Sequence, residues 1–319
     1  MQKIALIALY GIATLLLSSC HKDNIVPPGR DLSKNPLESR AIDGCEGLIE
    51  KNITACGLSR YFYIDLPTGF HPDSVYPLVF AFHGRGNGLT NKACVWSERI
   101  GAWKDEFRSI AVYPRAYHDE HWYVGGDMDA DPVPDICFVQ KIKDQMTSHY
   151  LIDTNRIYAM GTSNGGGLCY WLAANVSWLS AIAPIAAYQW NGYDLEGPPT
   201  LPVIQTHGTA DYTIPYSGGS GPFGLEFPGA FTADSTWAKV NNGCLATQLT
   251  NDLIVMGTPI TKYSWCPVIC GGGFCISKRK TTVHLKLHGI GHTVYDLISP
   301  DVKEYMNNQI FYFFKQHPK

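Results

Sequence analysis

The chain has 319 residues, enough for one large α/β domain or two small ones, and 45% of its residues are apolar, so a sizeable core is available. A formal net charge of −3 gives no electrostatic reason to expect a nucleic acid or an anionic membrane surface as partner.

The first twenty residues have the pattern of a bacterial lipoprotein signal peptide. Lys3 supplies a positive charge, and the apolar run at residues 4–17 is too short to span a bilayer comfortably. The run ends in Leu17-Ser18-Ser19-Cys20, which resembles a lipobox, the motif whose cysteine thiol takes a diacylglyceryl group. We therefore expect Cys20 to carry a lipid that holds the protein at the outer membrane, facing the periplasm or the cell exterior. An ordinary signal peptide with a chance cysteine is the alternative.

The segment at residues 21–41 is polar and contains prolines, so we expect a flexible tether there and a single catalytic domain at residues 42–319. One of the ten cysteines lies in the lipobox, which leaves an odd number in the mature chain. An exported chain meets an oxidising compartment, so disulfides are expected, with at least one thiol left over. Cys137 or Cys169 is the candidate free thiol. Cys244 is expected to pair with one of three later cysteines: Cys266, Cys270 or Cys275.

From residue 57 onward, short apolar runs alternate with helical stretches and no internal repeat occurs. Aromatic and β-branched content predicts strands at residues 60–66, 77–82, 109–113, 156–160, 181–187, 202–206 and 282–287. Helical spacing predicts helices at residues 138–150, 165–175 and 300–316. This alternation indicates a mostly parallel sheet covered by helices on both faces. Two loop-rich insertions stand out, at residues 117–135 and 216–231.

Ser163 lies in the most informative motif, the G-x-S-x-G pattern at residues 161–165, which occurs once. A predicted strand precedes it and a predicted helix follows, as in a nucleophile elbow, where a sharp turn exposes the serine hydroxyl. When such a serine attacks a carbonyl carbon, a tetrahedral oxyanion forms, and it needs two hydrogen-bond donors. We assign these to the backbone N–H of Asn164 and, in the glycine-rich stretch after the strand at 77–82, to that of Arg85, with Gly86 as the alternative.

The general base should lie late in the chain if the order is serine, acid, histidine. His292 fits, because Gly289 and Gly291 free a loop to bring it over Ser163. Asp211 follows the predicted strand at 202–206 and is the predicted acid, while neighbouring His207 is interpreted as a structural turn residue. Three other carboxylates compete with Asp211: Asp234, Asp252 and Asp296.

Four patterns suggest alternative chemistry. His284, His288 and His292 recur every four residues, as metal ligands on a helix would, but the glycines between them break a helix. Alternating aspartates at residues 127–135 suggest calcium, but the EF-hand glycine and glutamate are missing. The late cysteines mimic a zinc cluster, although disulfides are the better account. The glycine-rich stretch at 83–88 could cradle a dinucleotide, but Leu89 stands where the last glycine is needed. We therefore expect neither a metal nor a cofactor.

Together the motifs resemble the polyhydroxybutyrate depolymerases and the feruloyl and acetylxylan esterases, a group like carbohydrate esterase family 1. The resemblance runs from about residue 45 to the C-terminus. It rests on Trp122 and on residues 61–67, 76–84, 135–139, 157–166, 207–216 and 289–293. It implies an α/β-hydrolase fold without cofactor that cleaves carboxylic esters. The site residues that it implies are the catalytic Ser163, Asp211 and His292, the oxyanion-hole residues Arg85 and Asn164, and Trp122 in the acyl pocket.

The chain departs from this group at Val294-Tyr295, where Trp-Pro often follows the catalytic histidine. The substrate is therefore open. A lipid-anchored serine esterase acting on feruloyl or acetyl esters of plant polysaccharide is the leading hypothesis, because a surface-tethered protein meets polymers. A poly(3-hydroxybutyrate) depolymerase is the nearest alternative. A catalytically inactive carbohydrate-binding protein on the same scaffold, and a serine peptidase, come from other classes.

Overall fold

The computed structural model describes residues 46–86, 92–117, 121–125, 134–189, 201–221, 226–241, 248–265, 269–271, 274–276 and 281–319. The expected signal peptide, tether and lipidated Cys20 lie outside these ranges. The strands are β1 (Ile49–Ala55), β2 (Leu58–Asp65), β3 (Tyr76–Phe82), β4 (Ile110–Pro114), β5 (Ile152–Thr162), β6 (Ala181–Ile185), β7 (Val203–Gly208), β8 (Gly218–Ser220), β9 (Glu226–Pro228), β10 (Gln248–Val255), β11 (Thr258–Trp265), β12 (Ile269–Gly271), β13 (Phe274–Ile276) and β14 (Thr282–Leu287). The helices are α1 (Lys92–Glu106), α2 (Asp135–His149), α3 (Asn164–Asn175), α4 (Ala230–Val240), α5 (Val294–Leu297) and α6 (Pro300–Gln316).

Ten strands form one sheet in the order β1-β2-β4-β3-β5-β6-β7-β14-β11-β10. The six strands from β4 to β14 run parallel, and an antiparallel pair extends the sheet at each edge. The strand order reverses at β3, which has the next parallel strand of the chain, β4, on one side and β5 on the other. In open α/β sheets, ligands bind beyond the carboxyl ends of the strands at such a switch point.

The central strands are apolar on both faces because both faces are covered. All seven residues of β3 and all five of β6 are buried. Helices α2 and α3 pack on one face, around Phe138 and Leu172, and helices α1 and α6 pack on the other, around Trp96 and Phe314. The predicted mostly parallel sheet with helices on both faces is therefore confirmed.

Elements at the edges of the fold are absent from the sequence predictions. Only the two end residues of strand β1, Ile49 and Ala55, are buried, and its sequence IEKNITA is largely polar, so it gives a weak strand signal. Strands β10 and β11 form the opposite edge. The predicted loop at 216–231 contains the small hairpin of β8 and β9. No helix within the described ranges has an apolar stretch long enough to cross a membrane.

The cysteines correct one expectation. Cys137 is not the spare thiol, because it forms a disulfide with Cys56 that joins the β1–β2 turn to α2. Cys169 is the free cysteine among the described residues, and its burial in α3 raises the pKa of its thiol well above the usual value. Cys270 and Cys275 are cross-strand partners in the β12–β13 hairpin. The predicted pairing of Cys244 falls outside the described residues.

Candidate active site

Ser163 occupies a strained turn between β5 and α3. Its φ of 54° and ψ of −123° lie in a region that residues with a side chain rarely adopt, at a cost of about 1–3 kcal/mol. Two hydrogen bonds hold the turn: the Ser163 N–H donates to the carbonyl of Ile185, and the Ser163 carbonyl accepts from the N–H of Gly167. The strain is the one expected at a nucleophile elbow, since it aims the hydroxyl out of the sheet.

The glycines of the motif are required by close backbone approach. A Cβ on Gly161 would collide with the backbone of Gly165, and a Cβ on Gly165 would collide with the carbonyls of Phe82 and His83. Strand β5 can therefore turn into α3, directly beside the end of β3, only if both positions lack a side chain.

The three residues predicted as a catalytic triad form one hydrogen-bonded chain. His292 Nε2 lies 2.9 Å from Ser163 Oγ, and His292 Nδ1 lies 2.8 Å from Asp211 Oδ2. Asp211 follows β7 and His292 follows β14, and these strands are parallel neighbours whose carboxyl ends meet at one edge. The Ala210 N–H donates to the carbonyl of Ile290, which ties the two loops together.

Asp211 is held as an anion by its hydrogen bonds. Burial raises the pKa of its carboxyl, but hydrogen bonds from His207, His292 and the Ile214 N–H outweigh that effect and hold the pKa well below its ordinary value. Oδ1 accepts from the N–H groups of Thr213 and Ile214, at 2.9 Å and 2.8 Å. The carboxylate can therefore orient the His292 imidazole, with its proton on Nδ1 and a lone pair on Nε2 facing the serine.

A pocket of about 360 Å³ opens beside Ser163 and His292. Its walls come from the loop after β3, from α1 and from the start of α5: Gly84, Arg85, Trp96, Arg99, Val294 and Tyr295. Arg85, one predicted oxyanion donor, thus lines the same pocket as Ser163. Asn164, the other, begins α3, where first-turn N–H groups have no partner within the helix.

Trp122 requires a correction, because it does not line this pocket. Its side chain is fully buried, and its indole Nε1 donates to the carbonyl of His83 at 2.8 Å. Its backbone N–H donates to the Asn164 side chain at 2.6 Å, and its carbonyl accepts from the same amide at 3.0 Å. A ring enclosed in this way cannot stack on a substrate. Trp122 instead supports the two segments that carry the predicted oxyanion donors.

The histidines and aspartates that suggested metal sites in the sequence contact different partners in the structure. His284 lies on β14 and hydrogen-bonds Asp234, and His288 contacts Thr261, so neither joins His292. Asp135, the last of the alternating aspartates, pairs with Arg60 at 2.7 Å. Among the described residues, no group of three or more His, Cys, Asp or Glu side chains could hold a metal ion. The other aspartates of that pattern, Asp127, Asp129 and Asp131, lie outside the described ranges.

The sequence did not indicate three residues of the pocket wall. Trp96 and Arg99 lie one turn apart on α1, a helix that was not predicted. Tyr295, noted only as a departure from Trp-Pro, packs edge-on against Trp96 and lies 4.8 Å below the Arg99 guanidinium. The spacing of Trp96 and Arg99 was the available signal, and it is visible only once the helix is known.

The fold and the site together define an α/β-hydrolase with a Ser-His-Asp chain at its nucleophile elbow. The solved structures that it resembles have the same fold. A thermostable esterase superposes with a TM-score of 0.56 at 17% identity, covering 87% of this chain and 64% of the other. An acetyl xylan esterase from Aspergillus awamori superposes with a TM-score of 0.55 at 14% identity, covering 83% of this chain and 99% of the other.

Sequence comparison points to particular esterases at low identity. A bifunctional acetylxylan esterase/xylanase of Neocallimastix patriciarum is 26% identical over 79% of this chain and 33% of its own length. Feruloyl esterase B of Piromyces equi is 27% identical over 58% of this chain and 36% of its own. Feruloyl esterase C of Emericella nidulans is 25% identical over 65% of this chain and 71% of its own.

The chain thus spans about a third of the length of the first two relatives. No protein-family model matches it. The predicted resemblance to feruloyl and acetylxylan esterases is confirmed, and the chain is similar in sequence and fold to carboxylic ester hydrolases.

Proposed function

We propose that this protein is a serine ester hydrolase in which Ser163 is the nucleophile, His292 the general base and Asp211 the orienting acid. The observation that carries the proposal is the hydrogen-bonded chain from Asp211 through His292 to Ser163, which ends on a strained elbow facing a pocket. A chance grouping of these three side chains would not also place the serine in a disfavoured backbone conformation.

The chemistry follows from the geometry. His292 Nε2 takes the proton of Ser163 as Oγ attacks the ester carbonyl, while Asp211 stabilises the resulting imidazolium. The N–H groups of Asn164 and Arg85 are assigned to the oxyanion. The alcohol leaves with the proton from His292, and an acyl-enzyme remains on Ser163. Water then attacks the acyl-enzyme with His292 again as base, and the acid is released.

We assign feruloyl or acetyl esters on plant polysaccharide as the substrate. The named activities of the curated relatives support this choice. The volume of the pocket suits a small acyl group or a planar ring.

A substrate panel tests the function. Purified protein should hydrolyse methyl ferulate or acetylated xylan faster than hydroxybutyrate oligomers, and a chromogenic peptide should not be cleaved. Faster release of 3-hydroxybutyrate would favour the depolymerase alternative. Binding of xylan with no hydrolysis of any ester would favour the inactive carbohydrate-binding alternative and overturn the proposal.

We further propose that Cys20 is lipidated and tethers the enzyme to the outer membrane, on the strength of the lipobox-like Leu17-Ser18-Ser19-Cys20. Cells fed an alkyne fatty acid should yield labelled protein, and Cys20→Ser should abolish the label. The matched variant Ser19→Ala keeps a small residue before the cysteine and should retain it. Unchanged labelling of Cys20→Ser would contradict the anchor.

A further inference from the structure

A second imidazole faces the carboxylate of Asp211. His207, buried at the end of β7, has its Nε2 3.2 Å from Asp211 Oδ2 and 3.0 Å from the carbonyl of Ile214. A carbonyl oxygen can only accept, so Nε2 carries the proton and is shared between these two acceptors. The oxygen of Asp211 that binds His292 therefore also lies within hydrogen-bonding distance of the His207 N–H.

Gln205 determines which nitrogen of His207 carries the proton. Its amide Nε2 donates to the carbonyl of Ala187 at 3.2 Å and lies 3.4 Å from His207 Nδ1. Because the Ala187 carbonyl can only accept, the amide nitrogen must be on this side of Gln205. His207 Nδ1 thus faces a donor and presents a lone pair, which leaves the single proton on Nε2.

Tyr170 holds Gln205 in this orientation. The Tyr170 hydroxyl lies 3.1 Å from Gln205 Oε1, the acceptor end of the amide. All three residues, Tyr170, Gln205 and His207, are buried, and an amide turned by 180° would leave polar atoms without partners. The hydroxyl also lies 3.2 Å from Asp234 Oδ1, which connects the chain to the buried Asp234–His284 pair.

We propose that His207 is a positioning residue that holds the Asp211 carboxylate in the orientation needed by His292, with its tautomer set by Gln205 and Tyr170. This inference rests on the proposed function, because the orientation of Asp211 affects turnover only if Ser163 and His292 perform the chemistry. It assigns a role to a residue that the sequence indicated only as a turn.

Replacing the imidazole by a ring without N–H groups tests the role. His207→Phe should lower kcat about tenfold with KM within about twofold of wild type, since only the orientation of the base changes. The acid limb of the rate–pH profile should also move to higher pH, because a carboxylate with one hydrogen bond fewer attracts the protonated His292 more strongly.

Other titratable groups around His207 are potential sources of a pH effect. Asp211 and Tyr216 contact it from the loop after β7, Asp234 of α4 interacts with it electrostatically, and Lys286 of β14 is its neighbour in the sheet. Tyr170 of α3 reaches it only through Gln205, and His284 of β14 only through Tyr216. The relay variant Tyr170→Phe should shift the acid limb in the same direction with a smaller loss of kcat. His207→Gln, which retains an N–H donor, should recover most of the rate.

The matched control is His317→Phe, which removes a buried imidazole at the end of α6, away from the triad. It should lower the denaturation midpoint yet leave kcat and the pH profile of the folded enzyme unchanged.

An unshifted acid limb in both His207→Phe and Tyr170→Phe, with kcat within twofold of wild type, would overturn the positioning role alone. If His207→Phe does not fold, Tyr170→Phe and His207→Gln decide the question. Absence of ester hydrolysis by the wild type would instead overturn the proposed function.

Discussion

Among the Asp–His pairs of the described residues, Asp211–His292 and Asp234–His284 differ most usefully in what surrounds them. In Asp211–His292 the imidazole side chain is 20% exposed and its far nitrogen meets the Ser163 hydroxyl. In Asp234–His284 both side chains are 0% exposed, and the far nitrogen meets the phenol of Tyr216 at 2.8 Å. The side-chain types are the same, but one pair opens onto a pocket and the other is enclosed between α4 and β14.

The surroundings also shift the pKa values of the Asp211 and Asp234 carboxyl groups in opposite directions. Hydrogen bonds hold the pKa of Asp211 below its ordinary value despite burial, whereas burial outweighs the hydrogen bonds of Asp234 and raises its pKa. An Asp–His pair is therefore a candidate for catalysis only when its imidazole reaches a nucleophile and solvent. The first pair meets this condition, and the second is expected to contribute mainly to stability.

The largest difference in ester turnover is expected when the hydroxyl that faces each histidine is removed, Ser163 beside His292 and Tyr216 beside His284. Ser163→Ala should reduce ester turnover by about 10⁴-fold or more, because no acyl-enzyme can form. Tyr216→Phe, which removes the hydroxyl facing His284, should keep turnover within about threefold of wild type. Initial rates on methyl ferulate and an acetyl ester measure both. Residual activity above a tenth in Ser163→Ala would contradict the role of Ser163 as nucleophile.

Neutralising the first carboxylate is the next largest effect. Asp211→Asn should lower kcat about 10³- to 10⁴-fold, because the amide no longer favours the His292 tautomer with the proton on Nδ1. Steady-state kinetics at pH 7 give the value, and circular dichroism checks that the fold is retained. A loss below about tenfold would indicate that another acid, such as Asp296, orients His292.

The second pair should matter for folding. Asp234→Ala should lower the free energy of unfolding by about 3 kcal/mol, because it leaves buried His284 without its 2.6 Å partner. Turnover per folded molecule should change little, since Tyr170 still donates to Gln205. Urea unfolding and active-site-normalised kinetics separate the two effects. A normal midpoint with strongly reduced turnover would reverse the assignment of the two pairs.

As pH falls, the contributions of Asp211 and Asp234 to the stability of the fold should change in opposite directions. Asp211 has a lowered folded pKa, so its contribution to stability is present above its unfolded pKa of about 3.9 and is lost as pH falls through the folded value. Asp234 has a raised folded pKa, so its contribution is present below that unfolded pKa and is lost as pH rises through the folded value. From pH 7 to pH 3, the destabilisation caused by Asp211→Asn should shrink and that caused by Asp234→Ala should grow. Urea midpoints at both pH values check the signs, and parallel trends would contradict them.

How much the sequence could reveal depends on how local each signal is. The elbow was predictable because Gly161, Ser163 and Gly165 are contiguous, and their spacing matches one backbone turn. His292 and Asp211 were predictable only through the expected chain order and the ends of two strands. Two features of the site could not be predicted from the sequence: the exclusion of Trp122 from the pocket and the contact of His207 with Asp211. Both depend on how side chains pack in the folded chain. Edge strand β1 was not predicted for a different reason: most of its residues are partly or fully exposed, and its sequence is therefore largely polar.

Covalent labelling is the most direct test of Ser163 as the nucleophile. The enzyme is treated with an organophosphate such as diisopropyl fluorophosphate, and intact mass, peptide mapping and residual esterase activity are followed together. We predict one adduct per chain, located on Ser163, formed in step with the loss of activity and absent from Ser163→Ala. Complete inactivation with the adduct on another residue, or full activity in protein labelled on Ser163, would contradict it.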